Sequence, residues 1–131
     1  MKVLALDFGA ARTGVAVSDP TGLIARPLCV VERAGREAGL AEVARLVQEE
    51  EAEQVVVGLP LTLRGDRGEQ ARASERFADA LRAVVDVPVL LFDERFTTDL
   101  AQQTPSGAPE DARAAAHLLS SYLAWPSAAR A

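Results

Sequence analysis

Three carboxylates stand in this chain at places where an acid is costly or unexpected. Asp7 closes the apolar run Val3-Leu4-Ala5-Leu6, and an isolated charge at the end of a buried strand is expensive unless it is paired or bound to a cation. Taken alone, Asp7 reads first as an Asx-type turn residue for the hairpin. Glu94 follows the run Val89 to Phe92. Neighbouring strand residues point to opposite faces, so only one of Asp93 and Glu94 is expected to join an inward cluster. The plainer reading leaves both at the surface, with Asp93 pairing Arg95 or capping the next helix. Asp111 shares a helical stripe with Ala115, Leu118 and Tyr122, where it serves either the helix dipole or a cation. Together, hard oxygen donors without His or Cys partners suit Mg²⁺ or Mn²⁺ rather than Zn²⁺. Such ions can generate hydroxide and clamp both oxygens of an in-line displacement at phosphorus. His117 falls on another face of the same helix and reads as an ordinary, partly exposed histidine. Cys29, the only cysteine, reads as a small buried hydrophobe.

Positive charge is available locally. Arg12 follows Asp7 in the connecting loop and is the arginine expected to touch phosphate. Arg64 and Arg67 flank a loop with Gly65 and Gly68, while Arg72 and Arg76 read as solvated helix surface. Backbone N–H groups around Gly58 and Gly65 could add phosphate contacts. The net charge is -5, and of 14 basic residues only Lys2 is a lysine. This argues against a protein that holds nucleic acid by bulk attraction, and such binding must be offset by local charge.

The elements that would position these groups follow from hydrophobic periodicity. The chain has 131 residues, 49% of them hydrophobic and 25% charged, which fits a single domain with a core of its own. The reading is one domain over 1–126 with a flexible tail at 127–131, and a cytoplasmic location with no signal peptide or membrane span. Val3–Leu6 reads as a central strand buried on both faces. Thr13–Ser18 pairs with it as an antiparallel hairpin, and a third strand lies near Pro27–Val31 after the turn Asp19-Pro20-Thr21-Gly22. Helical spacing runs from Arg36 to Glu51, with Glu49–Glu51 on a solvated face. A strand at Gln54–Val57 follows, then a helix over Gln70–Val84 with Ala73, Phe77, Ala80, Leu81 and Val84 on one stripe. Pro88–Phe92 is the last strand. Thr97 or Thr98 caps a short helix, and a final helix starts near Pro109. The order β-β-β-α-β-α-β-α-α calls for an α/β fold, a sheet covered on both faces.

Four blocks in this order resemble the YqgF family, also called RuvX, of the RNase H-like superfamily. They are Leu6-Asp7-Phe8-Gly9-Ala10-Ala11-Arg12-Thr13-Gly14, Val57-Gly58-Leu59-Pro60-Leu61, Asp93-Glu94-Arg95-Phe96-Thr97-Thr98 and the helix from Asp111 to Leu123. The resemblance implies a five-stranded mixed sheet with helices on both sides. It implies a nuclease that matures the 5′ end of pre-16S rRNA and is related by fold to Holliday junction resolvases. It assigns Asp7, Glu94 and Asp111 as catalytic metal ligands for Mg²⁺ or Mn²⁺. Arg12, Gly58, Arg64, Arg67 and Arg95 form the expected substrate-binding set. Ala11 stands where the family is often basic, the Leu63–Asp66 stretch differs in detail, and Gln102–Glu110 is short and lacks lysine.

Three functions compete on the sequence. The favoured one is a metal-dependent endonuclease acting on structured nucleic acid, a pre-16S rRNA leader first and branched DNA as the alternative. The second is a weakly catalytic nucleic-acid or ribosome-associated module. The third, a piece of an actin-like ATPase, is disfavoured because 131 residues leave no room for a second lobe. The expected assembly is a monomer or a homodimer.

Overall fold

The computed structural model describes residues 1–61, 64–93 and 109–125. Eight elements follow in order: β1 (Val3–Asp7), β2 (Arg12–Ser18), β3 (Ala25–Glu32), α1 (Glu37–Glu49), β4 (Gln54–Leu59), α2 (Glu69–Arg82), β5 (Val89–Asp93) and α3 (Glu110–Ala124). The short helix expected after Thr97 lies outside the described residues, as does the tail. The strands form one mixed sheet in the order β3-β2-β1-β4-β5. The hairpin β1–β2 is antiparallel, with Leu4 opposite Val17 and Asp7 opposite Gly14. β1–β4 and β4–β5 are parallel, so the carboxyl ends of β1, β4 and β5 open on one edge of the molecule.

Strand alternation sorts the core into two halves. Leu4, Leu6, Val15, Val55 and Val57 face α1 and α2, where they meet Val43, Leu46, Phe77 and Leu81. Val3, Ala5, Ala16, Val56 and Phe92 face α3, meeting Ala115, Leu118, Leu119 and Tyr122. Leu4, Leu6, Leu118 and Leu119 are completely or almost completely buried. Each such side chain contributes about 1.5–3 kcal/mol relative to exposure. The helices on both faces were expected, and β1 is as buried as its apolar run implied.

Two expectations are corrected. The inward stripe of α2 is Ala71, Ser74, Phe77, Ala78 and Leu81; Ala73 and Ala80 are half-buried, and Val84 lies beyond the helix end, 49% exposed. His117 is not partly exposed. It is buried, with neither ring nitrogen hydrogen-bonded. The reason is that α3 packs across β1, β2 and β3, so a wider band of its surface is covered than one stripe. Among the described residues no helix is long and apolar enough to cross a membrane.

Candidate active site

Asp7 is the last residue of β1 and, by alternation, projects to the same face as Val3 and Ala5, the face covered by α3. Asp111 lies in the first turn of α3. The residue that lets them meet is Gly14, paired with Asp7 across the hairpin. A Cβ at Gly14 would lie 1.7 Å from the Asp111 carbonyl oxygen and 2.3 Å from its carbonyl carbon. The helix backbone therefore rests directly on the strand at the point opposite Asp7. No side chain could be interposed there.

The electrostatics record the meeting. The Asp7 carboxyl is held above the ordinary carboxylate range, first by burial and then by the negative charge of Asp111. Arg12 partly offsets that charge, with Nε 3.2 Å from Asp111 Oδ2. Its side chain stays 66% exposed, so it can also reach a ligand from the solvent side. Arg12 begins β2 rather than sitting in the preceding loop.

The turn between Asp7 and Arg12 is tied from several directions. Buried Thr13 accepts from the Gly9 N–H and donates to the Gly9 carbonyl, both at 3.4 Å. A Cβ on Gly9 would lie 2.5 Å from the Arg12 carbonyl oxygen, so the turn closes only around glycine. Phe8 stacks on Phe77 with ring centroids 4.4 Å apart, and Gln70 Nε2 donates to the Phe8 carbonyl at 3.1 Å. The anchored Phe8 goes to the α2 side and Asp7 to the α3 side, which fixes the direction of the carboxylate.

Gly58 is buried on β4, one residue past the Val57 that pairs with Leu6, and its alternation puts it on the face of Asp7. Asp93 ends β5 opposite Leu59. It shares the face of Val89 and Leu91, away from Asp7. Glu94 and Arg95 lie outside the described residues. Arg64 is exposed. Arg67 is engaged by Glu75 at 3.5 Å, and Arg76 by Glu69 at 3.1 Å. Among the described residues no three His, Cys, Asp or Glu side chains gather closely enough to hold a metal; Asp7 and Asp111 are a pair. The chemistry of these two oxygen donors fits a hard divalent cation, and burial already disfavours the Asp7 charge. Sequence reasoning passed over Gly14. A glycine inside an otherwise apolar strand is the signal for close backbone approach.

The family model for RuvX, described as a Holliday junction resolvase, matches residues 1–125. The chain belongs to this family. A Chloroflexus aurantiacus relative described as "Putative pre-16S rRNA nuclease" is 50% identical over 101 residues, 77% of this chain and 66% of the relative. An Anaeromyxobacter relative of the same description is 47% identical over 98 residues, 75% of this chain and 72% of the relative. The matched stretch thus spans about two thirds of the length of such RuvX proteins. The Thermus thermophilus RuvC structure in complex with a Holliday junction substrate superposes with a TM-score of 0.66 at 20% identity, covering 93% of this chain and 92% of that one. That likeness establishes the RNase H-like fold of this RuvX member.

Proposed function

We propose that this RuvX chain is a divalent-metal-dependent endonuclease acting on structured nucleic acid in the cytoplasm, with the 5′ leader of pre-16S rRNA as its substrate. The observation that carries the reading is the convergence of Asp7 and Asp111 across Gly14, at the carboxyl edge of the parallel strands where ligands of open α/β sheets bind. Glu94, which lies outside the described residues, is the third ligand in this proposal by its match to the family's block Asp93-Glu94-Arg95, while Asp93 itself faces away from Asp7. A bound Mg²⁺ or Mn²⁺ would supply neutralisation of phosphate charge and acidification of water.

The protein's own contribution is placement. Asp7 and Asp111 present fixed oxygens from a strand and a helix, which hold geometry better than loops do. Arg12 would carry phosphate on the open side of the pair, with Arg64, Arg67, Arg95 and the backbone at Gly58 extending the track. Arg12 and Arg67 each hold a carboxylate, Asp111 at 3.2 Å and Glu75 at 3.5 Å, and either would exchange it for phosphate on binding. A second reading, cleavage of branched DNA, is favoured by the family description; it needs two sites and therefore a dimer.

The test compares cleavage of a pre-16S leader and a four-way DNA junction, each with Mg²⁺ and with Mn²⁺, by the parent and Asp7→Asn. The expected result is metal-dependent cutting of the leader that the amide variant loses. Equal rates for parent and variant would remove the catalytic assignment, and junction cleavage without leader cleavage would decide for the second reading.

A further inference from the structure

The net charge of -5 is unusual for a protein that handles phosphates, and its position in the fold suggests a use. Between Arg36 and Glu53 the chain holds Glu37, Glu42, Glu49, Glu50, Glu51 and Glu53 against Arg36 and Arg45. At the other end, beside Asp7 and Asp111, Arg12 is ion-paired to Asp111. The acidic segment borders a groove of about 830 Å³ between α1 and the α2–β5 connection. Its apolar lining includes Leu40, Ala44 and Val47 from α1 and Val84, Val85 and Val87 from the connection. Val84 is 49% exposed, and Val85 and Val87 beside it are half-buried against the core, so the groove has an apolar floor.

The rim is acidic. Glu37 and Glu51 mark the two ends of the α1 wall, and Asp86 stands on the opposite wall; all three are exposed. Among the described residues Arg45 is the one basic group on the lining, and its guanidinium is committed to Glu42 and Glu49 on its own helix. The field over the groove is therefore negative. α1 has 13 residues, so its wall is roughly 20 Å long at 1.5 Å per residue. That length matches three to four turns of a second helix laid alongside.

We propose that this groove docks an amphipathic helix of about 12–15 residues from a basic partner protein, its apolar stripe on Leu40, Ala44 and Val84–Val87 and its Lys or Arg residues on Glu37, Glu51 and Asp86. Helix-in-groove recognition uses anchors at i, i+3, i+4 and i+7, and charge placed at the rim speeds and selects the encounter. A second copy of this chain is disfavoured, since it would bring the same acidic rim against this one. Nucleic acid is repelled for the same reason. The groove lies on the sheet face opposite α3, and its Ala52 and Val84–Val87 precede β4 and β5. A docked partner would leave the Asp7–Asp111 edge open, and the same acidic face would turn that edge toward phosphate.

The test titrates ¹⁵N-labelled full-length chain with a 14-residue leucine–lysine amphipathic peptide, its leucine–glutamate counterpart, and a single-stranded RNA oligomer. The lysine peptide is expected to shift amides at residues 40–52 and 84–87 selectively and the glutamate peptide to shift none. The triple variant Glu37→Lys, Glu51→Lys, Asp86→Lys should bind the lysine peptide at least ten-fold more weakly. These positions are exposed, so the fold tolerates them, and an unchanged melting temperature checks this. Equal binding by the triple variant, shifts scattered over the whole surface, or groove shifts with RNA would each overturn the proposal. So would sedimentation showing a dimer of the parent that the triple variant dissolves, which would give the groove to a second copy. None of these results bears on the nuclease reading, which is tested at the other end of the sheet.

Discussion

Gly14→Ala perturbs the site without touching an ionisable group. The new Cβ would start 1.7 Å from the Asp111 carbonyl oxygen, and real Cβ contacts essentially never fall below 3.0 Å. The helix start must therefore withdraw by at least about 1.3 Å. The clash is backbone against strand, so no rotamer change relieves it. α3 must tilt, straining the packing of Ala115, Leu118 and Tyr122, or its first turn must open. Overpacking of this kind costs about 1–3 kcal/mol, which for a chain of this size lowers the melting temperature by about 4–12 °C. Misplacing Asp111 by more than an ångström should also cost on the order of 10²-fold in cleavage. The assay pairs thermal melts with metal-dependent cleavage of the rRNA leader. Gly68→Ala is the control, because a Cβ there meets nothing within 4 Å. If Gly14→Ala melts within a degree of the parent and cuts within two-fold of it, then close seating of α3 on β2 is not what assembles the carboxylates.

Other substitutions probe the neighbouring groups. Asp7→Asn should raise the metal-free melting temperature at pH 7 by about 4 °C, the effect of removing about 1 kcal/mol of site strain. Burial and Asp111 raise the Asp7 carboxyl, so the stability its protonated form contributes is complete below the ordinary carboxylate value and is lost as pH rises through the raised one. The gain should fade below about pH 4, and a gain that is independent of pH would contradict this cause. His117→Leu removes two buried nitrogens that lack partners and should stabilise by about 1 kcal/mol, read as a higher denaturant midpoint; a lower midpoint would mean the ring is satisfied. Phe77→Ala removes the surface on which Phe8 stacks and should cost about 3–5 kcal/mol, with loss of cleavage at temperatures where the variant is still folded.

The runs Val3–Leu6 and Val55–Val57 have no polar interruption, and only a strand covered on both faces suits them, so the sheet's centre and its parallel pair were legible from residue types. The Asp7–Gly14 hairpin was legible too, because a few residues between two apolar runs leave little alternative to antiparallel pairing. The stripe of α2 was misplaced by a partial turn. Ala71, Ala73, Ala78 and Ala80 offer almost no contrast, and the choice among them is made by where Phe77 and Leu81 find their holes. His117 was misjudged because a helical wheel assumes one neighbour, whereas α3 crosses three strands. Asp7 and Asp111 were each ambiguous in isolation, an Asx turn and a dipole partner. The close approach of α3 beside Asp7 depends on Gly14, whose missing side chain carries information only about something absent from its own neighbourhood in sequence.

The seating of α3 on the first hairpin also has a consequence for the order of synthesis. Residues 1–93 can lay down all five strands and two of the helices, yet that portion carries Asp7 without its counterpart. The second carboxylate arrives with the last described helix, after more than a hundred residues have left the ribosome. On the proposed reading a nascent chain cannot bring the two carboxylates together until α3 has seated on the first hairpin.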